Sequence, residues 1–570
     1  PRMAVYNDVE GWQNKQFLGR GEFTLPFGDY KVNITVPADH IVGSTGTLQN
    51  ASSVLTSEQQ ARLKTAKTAS EPVLIVTQEE AEAAEKKNAT KTKTWIFHAT
   101  NVRDFAFASS RKFIWDAIGV KLDDGSTTMA MSFYPKEGNP LWGQYSTRVV
   151  AHTVKSYSKH TFDYPYPVAI SVHSKWNGME YPMICFNYGR PEPDGTYSER
   201  TKNGMIGVII HEVGHNFFPM IINSDERQWT WMDEGLNSFV QSMAESEWDS
   251  EFPTRRGPPA KIVDYMKGDK GNISPIMTNS ESIFQFGNNA YGKPATALVI
   301  LRETILGREL FDYAFTEYCN RWMFKHPTPA DFFRTMEDAS GTDLDWFWRG
   351  WFYGTEHVDL SIDNMIWFRL DTKNPDVEKG LLKTEKENET RFIGTIRNDT
   401  SIPKTEVERD PKANDFYSKY DPFEVSVLDK EVYEKYLAKL DDEEKTLINA
   451  GYNYYQVDFS NLGGLPMPII VEFTFSDGSK EKQYIPAEIW RFNAESVSKV
   501  FVFRKEVMNV SMDPYLETAD VDVSNNNWPR MIQKSRFEVY KSSKYGRGGA
   551  VSGAENKMQK AKRAEEKTTE

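Results

Sequence analysis

Cysteine is nearly absent from this chain: only Cys185 and Cys319 occur among 570 residues, and they lie far apart in sequence. One possible pair cannot form a disulfide framework, and a closed structural zinc site usually needs several cysteines. No apolar run approaches the about 18 residues that a transmembrane helix requires. The sequence therefore excludes a disulfide-rich scaffold and a zinc finger, and it predicts no transmembrane segment.

Acidic residues outnumber basic residues in this chain. The formal net charge is -13, and no stripe of lysine and arginine occurs outside the C-terminal tail. Such a chain gains no long-range attraction to nucleic acid or anionic lipid, so neither is an expected partner. The chain begins at Pro1 without an initiator methionine, and its first residues are not a signal peptide. We expect an upstream leader, which favours an exported or periplasmic protein; the sequence otherwise leaves the compartment open.

Histidine is rare, with nine residues, yet two of them lie in His211-Glu212-Val213-Gly214-His215. Side chains four positions apart lie one turn apart on the same face of a helix, so both imidazoles can reach one metal ion. Glu234 can supply the third ligand of a His2Glu set, which leaves one position open for water in a catalytic zinc site. Glu212 is about 100° around the helix from His211 and is predicted to act as the general base.

The neighbouring residues favour a buried site beside a cleft. Residues 205–218 are apolar nearly all round, which is typical of a buried helix. In the next helix an apolar stripe leaves Glu234 on the opposite face, where it can face a cleft. Buried polar groups need partners, so a purely structural cluster of these four polar residues is the alternative.

The length allows three or four domains. Alternating patterns predict a β domain over residues 1–115, with a helical or mobile insertion at about 51–92 that is rich in Ala, Glu, Lys and Thr. Strand patterns followed by helical ones predict a mixed domain over 116–360. Within it, Pro294 and Gly307 mark the start and end of a predicted helix.

Beyond about residue 365 the patterns return to β. The Asp477-Gly478 turn lies between two strand-like segments, and we predict a C-terminal β-sandwich over 361–541. The tail, 542–570, is crowded with Lys, Glu and Ala and lacks apolar periodicity, so we expect it to be disordered or a loose helix.

These motifs resemble the alanyl-aminopeptidase family of gluzincin zinc metallopeptidases, which share HExxH, a spacer of eighteen residues and a glutamate; residues 216–233 are that spacer here. The family's glycine-x-methionine-glutamate-asparagine motif is approximated by Gly178, Met179 and Glu180 in the segment 177–182. Tyr181 stands where the family commonly has asparagine, which puts the contacts with the substrate backbone in question. The segment Tyr291-Gly292-Lys293-Pro294 resembles the family's tyrosine-x-lysine-glycine stretch.

The resemblance covers roughly residues 1–360 and implies an α+β multidomain protein. It implies an N-terminal β-sandwich or saddle, truncated at residue 1, then a thermolysin-like catalytic domain and a β-sandwich. The family's substrate-binding glutamine is expected upstream of residue 1. The implied site comprises one zinc ion on His211, His215 and Glu234, Glu212 as base, Tyr291 as oxyanion stabiliser, and Glu180 with Gly178 and Met179 as the substrate-binding segment.

The expected function is a zinc-dependent aminopeptidase acting on peptides with a free N-terminus. A fixed carboxylate at Glu180 would pair with the terminal ammonium group and select the first peptide bond for hydrolysis. Two alternatives stay open. One is a zinc endopeptidase of the same fold, which acetylated peptides would distinguish. The other is a catalytically silent scaffold that binds partners through its β-sandwiches and its 13% aromatic residues. The preferred N-terminal residue and the oligomeric state are not readable from the sequence.

Overall fold

The computed structural model describes residues 5–14, 16–86, 88–532 and 555–569. A β-rich region comes first, then a mixed region built on a six-stranded sheet, then a second β-rich region interrupted by helices. This α+β multidomain architecture confirms the predicted fold class. The predicted domain boundaries stay predictions.

Short antiparallel sheets form the N-terminal region. Strand Gly28–Pro37 pairs with Thr92–Val102, which also pairs with Thr47–Leu48, and Ile41–Ser44 pairs with Phe107–Ser110. Along the first of these strands, alternate side chains are less exposed, as a sheet with one solvated face requires. The first residues add the short pair Tyr6–Asn7 and Gly11–Trp12.

The segment predicted as an insertion, 51–92, is largely helical. Its helices are Ala51–Val54, Ser57–Ala66 and Gln78–Lys86. Between the last two helices, strand Val73–Val76 pairs with Ile114–Lys121 and so joins the central sheet. The segment thus adds an edge to the sheet that carries part of the site.

The central sheet is mixed. Its strands, in spatial order, are Met179–Tyr181, Ile184–Asn187, Val168–His173, Thr127–Tyr134, Ile114–Lys121 and Val73–Val76. Strands Thr127–Tyr134 and Val168–His173 run parallel, and the buried helix Leu141–His160 connects them. Strand Met179–Tyr181, which carries Glu180, lies at the edge and runs antiparallel to its neighbour.

Helices pack behind and beside this sheet. They are Glu199–Gly214, Leu236–Trp248, Val263–Met266, Lys293–Ile300, Arg308–Trp322, Pro329–Ser340 and Asp345–Trp348. Wider π-helical turns occur at Trp231–Gly235, Gly287–Gly292, Leu301–Ile305 and Arg349–Tyr353. As predicted, Pro294 lies in the first turn of its helix, which continues through Leu301–Ile305 to end before Gly307.

Two sheets form the C-terminal β region. One contains Leu360–Arg369, Asn453–Asn461 and Ser496–Phe503, and the other contains Lys480–Ile485, Ile469–Phe475, Val507–Met512 and Asn527–Trp528. They face each other through aromatic rings, since the ring centroid of Phe473 lies 4.7 Å from that of Phe501 and 4.8 Å from that of Phe503. The predicted hairpin turns at Gly478, whose φ of 80° suits glycine.

A helical segment separates the first two strands of this region. Its helices are Pro375–Glu387, Ile393–Ser401, Glu406–Arg409, Val427–Leu437 and Asp442–Ile448, and most of their side chains are exposed. Of the predicted tail, residues 542–554 and 570 lie outside the described residues, and Lys557–Thr569 is helical. Within the described ranges, every helix falls short of the length and apolar character that crossing a bilayer demands.

Candidate active site

Two consecutive helices supply the residues of the predicted metal site. Helix Glu199–Gly214 begins at Ser198, whose hydroxyl accepts a hydrogen bond from the backbone N–H of Thr201. Its last turn carries His211 and Glu212, and His215 follows directly. Glu234 lies in the π-helical turn Trp231–Gly235, immediately before Leu236–Trp248. Such turns are frequent at functional sites, and this one turns the Glu234 side chain towards both histidines.

The three predicted ligands converge on one point. Glu234 Oε2 lies 3.0 Å from His211 Nε2 and 3.3 Å from His215 Nε2, and the two nitrogens are 3.1 Å apart. Ligands of a tetrahedral zinc ion at 2.0–2.1 Å are separated by about 3.3 Å. The spacing of these three atoms therefore fits one tetrahedral ion.

The opposite edges of both imidazoles are held by acceptors. His211 Nδ1 lies 2.8 Å from Gln241 Oε1, and His215 Nδ1 lies 2.9 Å from both the Phe218 carbonyl oxygen and Asp233 Oδ1. Because Gln241 Oε1 and the Phe218 carbonyl accept hydrogen bonds, Nδ1 of each neutral ring can donate to them, which leaves the lone pair of Nε2 for a metal ion. This tautomer is the one that metal ligation at Nε2 requires.

Negative charge exceeds positive charge around this point. Burial lowers the pKa of His211, whereas the carboxylates of Glu180, Asp233 and Glu234 overcome burial and raise the pKa of His215. Burial and the charge of Glu234 raise the pKa of Asp233 well above its ordinary value. A bound cation would relieve this repulsion, so the charge distribution also fits a metal ion.

Glu212 lies beside the two histidines and is 5% exposed. Burial, followed by the charge of Glu180, raises its pKa well above the ordinary value. Its Oε2 is buried and has no hydrogen-bond partner within the described part of the chain. Buried polar atoms without partners are rare in native proteins, so this oxygen is available to a ligand.

Gly178 lets the main chain approach the Glu212 carboxylate closely. A Cβ atom at this position would collide with Glu212 Oε1, and the φ of 113° is a conformation that favours glycine. The sequence named Gly178 only through the resemblance. The structure supplies the physical reason for a glycine there.

Tyr291 lies in the π-helical turn Gly287–Gly292, on the same cluster. Its hydroxyl donates a short hydrogen bond to Glu234 Oε1, and its ring stacks on that of His211 with centroids 5.8 Å apart. The guanidinium carbon of Arg256 lies 4.0 Å from the centre of the Tyr291 ring. Burial and the charge of Glu234 raise the pKa of Tyr291 well above its usual value, so the hydroxyl keeps its proton.

Glu180 approaches from the edge of the sheet. It is 6% exposed and forms a compact carboxylate group with Glu22 and Glu226. Tyr181, the departure from the family motif, packs against the rings of Phe23 and Phe186 at centroid distances of 6.3 and 6.2 Å. It is not part of the cleft wall, and its backbone pairs with Ile184 in the sheet.

All eight predicted site residues line one cleft of about 650 Å³. The same wall contains Glu22, Gln241 and Arg256, which the sequence analysis missed. Glu22 is held there because the N–H of Phe23 donates to Glu226 Oε2 at 3.1 Å. Burial, with the nearby carboxylates, raises the pKa of Glu22 to about 8. Glu22 and Arg256 are remote in sequence from the motifs. Gln241 lies about two helical turns after Glu234 and could have been found by helical spacing.

Comparison with known families shows which proteins the segment around this cleft resembles. The family model described as the peptidase family M1 domain matches residues 146–351, which include His211, Glu212, His215, Glu234 and Tyr291. The segment 146–351 therefore resembles a peptidase family M1 domain. The predicted resemblance to alanyl-aminopeptidase-type gluzincins is thereby confirmed.

The curated proteins that match this chain include aminopeptidases. Aminopeptidase 2, mitochondrial, of Saccharomyces cerevisiae is 22% identical over 228 residues, covering 37% of this chain and 23% of that protein. Glutamyl aminopeptidase of Bos taurus is 25% identical over 180 residues, covering 30% of this chain and 19% of that protein. The matches thus span about a quarter or less of these relatives' length.

A solved structure has a fold similar to that of this chain. Aminopeptidase A of Legionella pneumophila, crystallised in complex with aspartic acid, aligns with a TM-score of 0.50 and 12% sequence identity. The alignment covers 90% of this chain and 47% of that chain. At this identity the likeness bears on the fold alone.

Proposed function

We propose that the protein is a zinc-dependent aminopeptidase with one zinc ion, held by His211, His215 and Glu234. The observation that carries the proposal is the convergence of Glu234 Oε2 and the two Nε2 atoms, at mutual distances of 3.0–3.3 Å, beside a carboxylate oxygen without a partner. A buried carboxylate oxygen without a partner suits a group that meets a ligand in the cleft. When bound, the zinc ion supplies Lewis-acid polarisation and lowers the pKa of water to about 7.

Glu212 is the proposed general base. Glu212 lines the cleft, where its carboxylate can accept a proton from the attacking water and later donate it to the departing amine. General-base catalysis of this kind needs no covalent intermediate.

Tyr291 is the proposed stabiliser of the charge that develops on the carbonyl oxygen. Its hydroxyl lies against Glu234, next to the ligand cluster, and its raised pKa keeps the proton available for donation. One such donor is typically worth ~3 kcal/mol in the transition state.

Glu180 and Glu22 support cleavage at the first residue rather than within a chain. Both carboxylates line the cleft beside the metal cluster, and an ammonium group would compensate their mutual repulsion. A peptide N-terminus is largely cationic at neutral pH. Bound there, it would place the first peptide bond at the reacting groups.

The test is a panel of aminoacyl reporter substrates, assayed with and without a zinc chelator. We expect cleavage that the chelator abolishes and added zinc restores. Cleavage that survives complete zinc removal would refute the metal assignment. Matched peptides with free and acetylated N-termini then test exopeptidase action: equal rates would favour the endopeptidase, and a zinc-loaded protein that cleaves neither peptide would be the silent scaffold.

A further inference from the structure

The wall of the cleft carries charged groups of both signs. Besides Glu212 and Glu234, the acidic ones are Glu22, Glu180, Glu199, Glu245 and Glu251, and the basic ones are Arg200, Arg255 and Arg256. None of these three arginines makes an ion pair within 4.0 Å among the described residues. Unpaired guanidinium groups in a cleft are available to an anionic ligand.

Arg256 contacts one of the proposed reacting groups. Its guanidinium carbon lies 4.0 Å from the centre of the Tyr291 ring, which fixes the planar group by a cation–π contact. The nearby carboxylates have other partners: Glu234 accepts from Tyr291, and Glu245 accepts from Gln241 at 2.8 Å. Among the described residues, the N–H donors of Arg256, which lines the cleft, thus have no ion-pair partner.

Glu180 and Arg256 reach the ligand cluster through different residues. Glu180 groups with His215 and Asp233, whereas Arg256 lies on the ring of Tyr291, whose hydroxyl donates to Glu234. A peptide whose N-terminus is held at Glu180, and whose first carbonyl lies at Tyr291, would bring its next residue towards Arg256.

The ring contact places Arg256 beside the proposed oxyanion donor, because the hydroxyl of Tyr291 contacts the ligand cluster. One extended residue spans about 3.3–3.6 Å, so only the residue next to the scissile bond lies within such short reach of Tyr291. The first residue after the scissile bond would then bring a carboxylate to the guanidinium group. Arginine binds carboxylates with two parallel hydrogen bonds, which adds geometric selectivity to charge.

We propose that Arg256 forms a carboxylate-binding subsite for the residue that follows the scissile bond, so that the enzyme prefers dipeptides and peptides with an acidic second residue. This inference rests on the proposed aminopeptidase function and names its substrate class. The terminal carboxylate of a dipeptide and an acidic side chain offer the same chemistry.

The experiment compares matched substrates on the zinc-loaded protein. Ala-Ala and its C-terminal amide differ only in the terminal carboxylate, and the amides of Ala-Asp and Ala-Asn differ only in the side-chain carboxylate. We expect kcat/KM to favour the acid in at least one pair by about 10- to 100-fold, mainly through KM. Preference in the first pair alone identifies the terminal carboxylate as the source, and preference in the second alone identifies the side chain.

Arg256→Met should bring that acid-to-amide ratio close to one. Arg255→Met is the matched control, because it removes the same charge from the adjacent position, and it should keep most of the ratio. Loss of a merely structural contact with Tyr291 would lower kcat equally for acid and amide. A ratio that is near one in the parent protein, or that Arg256→Met leaves unchanged, overturns the proposal.

Binding measurements separate this proposal from the proposed function. Glu212→Gln should bind Ala-Ala at least about tenfold more tightly than its amide by calorimetry, and the double variant with Arg256→Met should not. Cleavage of aminoacyl reporters together with equal binding of acid and amide would refute the subsite and leave the aminopeptidase standing. Selective binding without any cleavage in the parent protein would do the reverse.

Discussion

Asp116 and Glu212 are two buried carboxylic acids in the same region, and they differ in how their oxygens are used. Asp116, in a central strand, accepts a hydrogen bond from the Thr147 hydroxyl on one oxygen and from the Tyr134 hydroxyl, at 2.8 Å, on the other. Glu212 is equally buried, but its Oε2 has no partner in the described structure. Asp116 thus has the hydrogen bonds of a structural group, whereas Glu212 keeps an oxygen that a ligand in the cleft could use.

Burial alone does not distinguish the two. It raises the pKa of Asp116 to about 6 and the pKa of Glu212 well above its ordinary value. Asp116 is held by neutral hydroxyls, while Glu212 faces a second acid, Glu180, and a cleft. The surroundings, rather than the depth of burial, therefore distinguish the structural acid from the proposed catalytic one. A substitution at Glu212 should change activity, and a substitution at Asp116 should change stability.

The largest effect on activity is expected for Glu212→Gln. Removing the base should lower kcat by about 10²- to 10⁴-fold, while the amide keeps the shape of the side chain. Zinc content by elemental analysis and the thermal midpoint should match those of the parent protein. Rates like those of the parent protein would contradict the assignment of Glu212 as the base. They would also mean that Glu212, like Asp116, has no role in catalysis.

Tyr291→Phe tests the second proposed catalytic group. Loss of the hydroxyl should lower kcat by about 10²-fold, equivalent to ~3 kcal/mol, because one donor to the developing negative charge is gone. Steady-state kinetics on an aminoacyl reporter measures the change, with zinc content as the control. A normal kcat would assign the hydroxyl only to holding Glu234.

Glu180→Ala should act on substrate choice. We expect kcat/KM for peptides with a free N-terminus to fall by roughly 10- to 100-fold, because a charge-assisted contact with the ammonium group is lost. Zinc affinity should change far less. If free and acetylated peptides are cleaved equally by the parent protein, the assignment of Glu180 fails before any variant is made.

Asp116→Asn should leave activity nearly unchanged and alter the pH dependence of stability. The folded pKa of about 6 exceeds the ordinary aspartate pKa of 3.8, so the protonated acid stabilises the fold below about pH 4, and this contribution is lost as pH rises through 6. Relative to the parent protein, the variant should therefore gain stability between pH 4 and 7, by at most ~3 kcal/mol.

Urea unfolding of the Asp116→Asn variant and its parent across this pH range measures the effect. Asp123→Asn is the control, because Asp123 is exposed and lies just after the strand Ile114–Lys121 that contains Asp116. The difference in unfolding free energy between this variant and the parent protein should not change with pH. A flat difference for Asp116→Asn as well would mean that the buried acid is compensated in a way its two hydroxyl partners do not explain.

Local patterns were sufficient for the centre of the site. The spacing of His211 and His215, with Glu234 in the following helical segment, follows from helix geometry alone. The turn at Gly478 follows in the same way from the residues that hairpins prefer. Glu22 and Arg256 were missed because they reach the cleft through contacts between distant parts of the chain. Their neighbours in sequence carry no pattern that encodes those contacts.

The helices between Leu360–Arg369 and Asn453–Asn461 were also missed, although a signal existed. Ser426 and Asp429, and likewise Asp441 and Glu444, form reciprocal capping boxes at helix starts. The hydrophobic pattern there is weak because most of these helices' side chains are exposed. Capping residues, read before periodicity, would have predicted this helical segment.

Gly178 makes the chemistry of this protein fragile in one particular way. A single methyl group added at this position would displace the Glu212 carboxylate, while every proposed zinc ligand stayed in place. We expect a Gly178→Ala protein to fold and to keep the proposed zinc ligands, yet to lose the proposed peptidase activity. A single base change in the glycine codon would be enough to uncouple metal uptake from catalysis.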